Sequence, residues 1–384
     1  MGAALVATAM TYATPSAAET QAASSAPIET TETPAPLFTA QDLLLSGPAG
    51  PIGATLLLPS ATRAALLLLP GSGPIDRNGN APGATAPNHY ALLAEALATQ
   101  GVATLRADKR GIGQSGGDAN AVTLDAYGAD AAVLAGELRD RAALPCIWLA
   151  GHSEGALVAL RAASDLGAVC GVILLAGPGR RPGEVLRSQI SANPANAALI
   201  PDANLMIDRL SLGQTVPLKE IPEALRGLFP PAVQDYLINL FSQDPIALAA
   251  QVDLPALVIQ GEADIQLSAR DAEALTTALP QGVMALFPTM THVLKDAADD
   301  SRAAGLDTYT NPDLPLAAGL AEHAGGLDSR GDNAVHGDLA PALAGRTWAW
   351  DQRDLRSPCR RASSRGRGFH QWVMNLSCFD PQGE

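Results

Sequence analysis

The chain has 384 residues, 47% hydrophobic and 17% charged, enough apolar material for one large domain with insertions and too much for a disordered chain. Its net charge of −14 argues against nucleic acid and anionic membranes as partners, because both are held by basic patches. There is no CxxC pair and no HExxH helix, so no structural or zincin-type metal site is expected, and no apolar run reaches the roughly 18 residues of a membrane span.

Residues 1–36 read as a signal-like segment and linker. Residues 3–10 are apolar, and Ser16-Ala17-Ala18 resembles a signal-peptidase site, yet the first basic residue is Arg63, so the charged start of a signal peptide is missing. A truncated signal peptide implies a periplasmic or secreted protein, and a plain Ala/Thr/Pro-rich leader a cytoplasmic one.

From residue 37 the pattern changes. Residues 43–45 and 54–58 flank a Gly/Pro turn and suggest an antiparallel pair. Residues 64–69 are continuously apolar, as for a strand buried on both faces. A helix over 90–98 precedes a strand at 102–105, and a helix over 124–138 precedes a strand at 146–150. A helix over 154–166 leads to a strand at 172–176. Residues 179–246 hold helical fragments and no convincing strand. The alternation resumes with a strand at 256–260, a helix over 269–279 and a strand at 283–287. Strands alternating with helices imply an α/β fold, a mostly parallel sheet flanked by helices on both faces. The expected organisation is a core in two parts, 37–178 and 247–322, with a helical cap at 179–246 inserted between them.

Residues 323–384 read as an atypical tail. Residues 341–384 carry seven arginines, four acids and three of the four tryptophans, and 358–368 show neither helical nor strand period. A disordered tail is expected from about residue 325. Cys146 and Cys170 each fall at or before the start of a strand, and one crossover helix separates those strands. Two buried free thiols are expected there, with a disulfide as the alternative in an exported protein.

The strand at 146–150 ends in Gly151-His152-Ser153-Glu154-Gly155, and a helix follows. In a parallel sheet, function gathers at the carboxyl ends of strands. A turn tight enough to present one serine requires small neighbours, and the helix start behind it favours negative charge. A second G-x-S-x-G match, Gly113-Gln114-Ser115-Gly116-Gly117, opens no helix, so Ser153 is the candidate nucleophile. A serine needs a base and the base an orienting acid, in chain order Ser, acid, His on this fold. His292 lies just past the last strand, whereas His323, His336 and His370 lie in the degraded tail. Glu262 and Asp264 share the loop after the preceding strand, and the Gly-x-x-Asp spacing favours Asp264; a helix N-cap is its plainer role. Oxyanion donors are expected at the backbone N–H of Glu154 and, in the loop 70–80, at Ser72, with Gly71 as the near alternative.

Together PGSGPIDRNGN, DKRGIGQSGG, GHSEG, GEAD and THVLK, spread in order over residues 64–295, resemble the α/β-hydrolase family, specifically bacterial serine esterases with a helical cap. The resemblance implies carboxylic ester hydrolysis through an acyl-enzyme, with Ser153, Asp264 and His292 as a triad, a small-molecule ester as substrate and no cofactor. It implies that the loop 108–111 is mainly structural. The same triad serves peptidases, thioesterases and lactonases, and a non-catalytic binding module is the rival from another class. Apolar cap residues Leu228, Phe229, Tyr236, Leu237, Leu240 and Phe241 either roof a pocket or pack the cap onto the core. Oligomeric state is not legible.

Overall fold

A computed structural model describes residues 36–327. The expectations for the leader and for Arg346, Trp348, Trp350 and the rest of the basic tail lie outside the described residues. The first two strands, β1 (Phe38–Gly47) and β2 (Gly50–Pro59), pair antiparallel around a turn at Pro48-Ala49. They continue into β3 (Ala64–Leu69), α1 (His89–Thr99), β4 (Val102–Ala107), α2 (Leu124–Ala142), β5 (Ile147–His152), α3 (Glu154–Asp165) and β6 (Val169–Leu175). Four helices follow with no strand between them: α4 (Pro182–Ser191), α5 (Ile200–Ser211), α6 (Gln234–Phe241) and α7 (Pro245–Ala249). The chain then returns through β7 (Ala256–Gly261), α8 (Ala269–Ala278) and β8 (Gly282–Phe287), and the described part closes with α9 (Arg302–Asp307) and α10 (Leu320–Gly325).

The eight strands form one sheet in the order β1-β2-β4-β3-β5-β6-β7-β8, antiparallel at β1, β2 and β4 and parallel from β4 to β8. This is the α/β-hydrolase fold. Its centre is buried on both faces, which is why β3 and β5 read as unbroken apolar runs. Leu67, Leu69 and Leu149 pack with residues of α2 and α3, whereas Leu66, Leu68 and Trp148 pack with residues of α1 and α10. Side chains alternate across the pleat, so each strand supplies both layers.

Two expectations are corrected. Cys146 and Cys170 are joined by a disulfide, with Cα atoms 5.3 Å apart, and are not free thiols. Pairing of β5 with β6 sets these strand starts side by side, within the span a disulfide bridges. The C-terminal boundary at 322 also falls inside a helix. Residues 308–319 form turns, the helix starts only after Gly319 at φ 82°, and it runs to Gly325. Leu327 is 2% exposed, and the Arg63 guanidinium donates to the carbonyls of Gly325 and Leu327.

Candidate active site

Ser153 stands between β5 and α3 at φ 54° and ψ −121°, a left-handed backbone that a serine holds only under constraint. The constraint is main-chain packing. A methyl group at Gly155 would strike the Leu69 carbonyl, and one at Gly151 would strike the carbonyl of Gly155, so both flanking glycines are needed. The Ser153 N–H donates to Leu175 O at 2.9 Å, which locks the turn to β6. The turn places Ser153 at the N-terminal end of α3, where unpaired N–H groups favour an anion.

Ser115, the other serine in a matching motif, is 8% exposed. Its Oγ donates to Asp108 O at 2.8 Å and accepts from the Gly53 N–H at 3.0 Å. Its hydroxyl therefore ties the loop after β4 to β2.

His292 follows β8, and its Nδ1 lies 2.8 Å from Asp264 Oδ2. The Asp264 side chain is fully buried, and its other oxygen accepts from the N–H groups of Gln266 and Leu267. Burial on its own raises a carboxyl pKa; here His292 and these N–H donors outweigh it and hold Asp264 below the usual carboxylate range. The cap of α8 is Ser268 in a capping box with Asp271, so Asp264 is not that N-cap. Glu262 is exposed.

Ser153, His292, Ser72, Gly71 and Glu154 line one cavity, open at its mouth. Its walls are mostly apolar: Ile75, Leu157, Val185, Leu186, Leu267 and Val293 among others. Of the six apolar residues singled out between 228 and 241, Leu240 and Phe241 line this cavity. Phe229 and Leu237 are fully buried in the core instead.

Three residues that sequence reasoning left without a role connect these parts. His152 Nε2 lies 2.7 Å from His292 O, and its Nδ1 lies 2.7 Å from Tyr90 Oη. A carbonyl only accepts, so Nε2 carries the proton and Nδ1 accepts from the Tyr90 hydroxyl. Tyr90 Oη in turn accepts from the Gly71 N–H at 3.0 Å. One directed chain thus joins the loop after β3, the turn at Ser153 and the loop of His292. Burial, reinforced by the nearby His292 ring, pushes the His152 pKa down to about 3, so its imidazole is neutral. The Gly71 N–H is thus engaged by Tyr90, while Gly71 and Ser72 both line the cavity.

The third is Lys109. Its Nζ donates to Gly71 O at 2.9 Å, lies 3.6 Å from Glu154 Oε1 and stands 4.5 Å over the Tyr127 ring. Burial opposes its charge, but Glu154 and Tyr127 more than offset this and hold its pKa above the ordinary lysine value. Glu154 also accepts from Ser72 Oγ at 2.6 Å and from the hydroxyl of Tyr236 on α6. The resemblance implied only that the loop 108–111 is mainly structural; the burial of Lys109 and its bond to Gly71 O were not legible in the sequence.

A sequence model of the family described as "Serine aminopeptidase, S33" matches residues 84–220. The chain is 28% identical over 242 residues to Esterase EstD of Thermotoga maritima, a match covering 62% of this chain and 54% of that protein. It thus spans about half the length of this curated relative. Among solved structures it is similar to Est1E of Butyrivibrio proteoclasticus, bound there to ferulic acid (18% identity, TM-score 0.45, 67% of this chain and 91% of that one). A thermophilic esterase from Thermogutta terrifontis is similar at 22% identity and TM-score 0.43, over 66% of this chain and 92% of that one.

Proposed function

We propose that this chain, an α/β hydrolase by its fold and family match, cleaves carboxylic esters of small molecules through an acyl-enzyme on Ser153. The observation that carries the reading is the strained turn at Ser153, which shares one cavity with a histidine paired to a buried carboxylate. Asp264 accepts from His292 Nδ1, which leaves Nε2 as the base. His292 takes the serine proton as Oγ attacks the ester carbonyl. The tetrahedral oxyanion is met by the N–H groups of Glu154 and Ser72, backed by the α3 terminus. His292 then returns the proton to the departing alcohol, and water repeats the sequence to free Ser153. Apart from the ester and the water, the groups in this scheme are side chains and backbone N–H groups of the chain.

The family description raises amide cleavage as a second reading. An aminopeptidase must hold its substrate's ammonium, normally with a free carboxylate. Among the described residues lining the cavity the only carboxylate is Glu154, already engaged by Lys109, Ser72 and Tyr236. A neutral ester suits such a site better. Matched p-nitrophenyl acetate and aminoacyl p-nitroanilide assays test this, together with a chain-length series of p-nitrophenyl esters. Faster turnover of the anilide overturns the ester assignment. The helices α4 to α6 serve as a cap, with Pro182, Val185, Leu186 and Gln189 of α4 and Leu240 and Phe241 of α6 as its contribution to the pocket wall.

A further inference from the structure

The loop after β3 is held from behind by two consecutive residues. Asp108 Oδ1 accepts from the Arg77 N–H at 2.9 Å, and Asp108 Oδ2 pairs with the Arg77 guanidinium at 2.7 Å. The Lys109 N–H donates to Ile75 O at 3.4 Å, and Lys109 Nζ donates to Gly71 O at 2.9 Å. That last bond is the informative one. Gly71 O and the Ser72 N–H belong to one peptide unit. There are no cis peptides among the described residues, so the two groups point in opposite directions. Gly71 and Ser72 line the cavity, and Lys109 does not. A buried ammonium pulling on the carbonyl from behind therefore turns the N–H toward the cavity. It also polarises the amide, since a charge-assisted bond on the oxygen strengthens donation from the nitrogen.

We infer that Lys109 is a positioning residue for the oxyanion site: it orients and polarises the Gly71–Ser72 peptide so that the Ser72 N–H meets the oxyanion. The inference rests on the proposed acyl-enzyme reading and deepens it. Glu154 balances the cation, and Ser72 Oγ and the Tyr236 hydroxyl satisfy that carboxylate. The two residues proposed to supply oxyanion donors, Ser72 and Glu154, are thus also bonded to each other through their side chains. A lysine that merely filled space would need neither the bond to Gly71 O nor a dedicated counter-ion.

Removing one partner of a buried pair strands the other's charge, so the test uses Lys109→Gln and the double variant Lys109→Met/Glu154→Gln. The readouts are kcat and KM on p-nitrophenyl acetate and the inhibition constant of an alkyl trifluoromethyl ketone, whose serine adduct carries the oxyanion. Losing a whole oxyanion donor costs about 10²- to 10³-fold in kcat, and a donor left in place but unaligned should cost about 10- to 100-fold. KM should stay within about threefold, and trifluoromethyl ketone affinity should fall in proportion to kcat. If only one variant folds, it decides alone. A folded variant with kcat within about twofold of the parent overturns the inference, as does a kcat loss with unchanged ketone affinity. Ser153→Ala is the control. If it keeps full activity, the acyl-enzyme reading itself fails; if it is inactive while the Lys109 variants are unimpaired, only the role of Lys109 fails.

Discussion

Replacing His152 with glutamine tests how strongly the neutral imidazole next to Ser153 ties this protein's stability to pH. In the folded chain His152 is fully sequestered, donates to His292 O and accepts from Tyr90, and its pKa falls to about 3 against an ordinary 6.5. Between those values the unfolded chain binds a proton that the folded chain refuses. Stability therefore rises with pH through that window and falls on acidification. From pH 7 to pH 5 this single group costs roughly 2 kcal/mol, set almost wholly by the unfolded histidine because the folded value lies far below both pH values. His89, buried beside it with its pKa also driven down by burial, adds cost in the same direction. Asp264 acts differently: its pKa is depressed, so its contribution persists at pH 5 and is lost only as pH falls through its folded value. Urea unfolding at pH 7 and pH 5, on the parent and on His152→Gln, isolates the term by difference. The variant should lose roughly 2 kcal/mol less than the parent over that interval. Equal losses in the two proteins would refute the neutral-imidazole account, whatever the variant's absolute stability.

Ser153→Ala should lower ester hydrolysis by several powers of ten with the melting curve intact, whereas Ser115→Ala should keep most activity and lose about 1–2 kcal/mol of stability, since the Gly53 N–H loses its acceptor. Gly155→Ala should cost at least about 3 kcal/mol or yield no soluble protein, because backbone rather than a movable side chain opposes the methyl; Gly136→Ala, facing open space in α2, should be neutral or stabilising by differential scanning fluorimetry. Reduction of Cys146–Cys170, which closes a loop of sequence separation 24, should cost about 3.5 kcal/mol on the loop-entropy estimate, read as the difference in urea midpoint with and without reductant. Truncation after Gly325 should be less stable by about 1–2 kcal/mol than truncation after Leu327, because only the longer form keeps the buried leucine.

The sheet was legible because its physics is periodic. β3 falls at the residues its apolar run marks, and β7 and β8 differ from expectation by one residue at one end each. The turn at Ser153 was legible because two glycines around a serine, between a strand and a helix, are what a turn tight enough to present one side chain requires. Long-range partners were not. His152 looks like any variable position of the motif, and its bonds reach residues 62 positions back and 140 ahead. Lys109 reads as one charge in a charged loop until β4 is set beside β3, which brings it behind Gly71. The end of the core was set at 322, inside the last helix, because residues 308–319, largely turns and irregular backbone, interrupt the period before Gly319.

The order in which these pieces occur along the chain has a consequence for biosynthesis. The central strands and the Ser153 turn leave the ribosome early, and the carbonyl that accepts from His152 comes 140 residues later. At about 5–20 residues per second that interval of 140 residues lasts roughly 7–28 seconds. Throughout it the nascent chain carries Ser153 without the histidine proposed as its base, and the helices that wall its cavity are made before Asp264 and His292 emerge. Competence would switch on only when β8 docks as the last strand of the sheet, so fragments released before that point should be inert toward cellular esters.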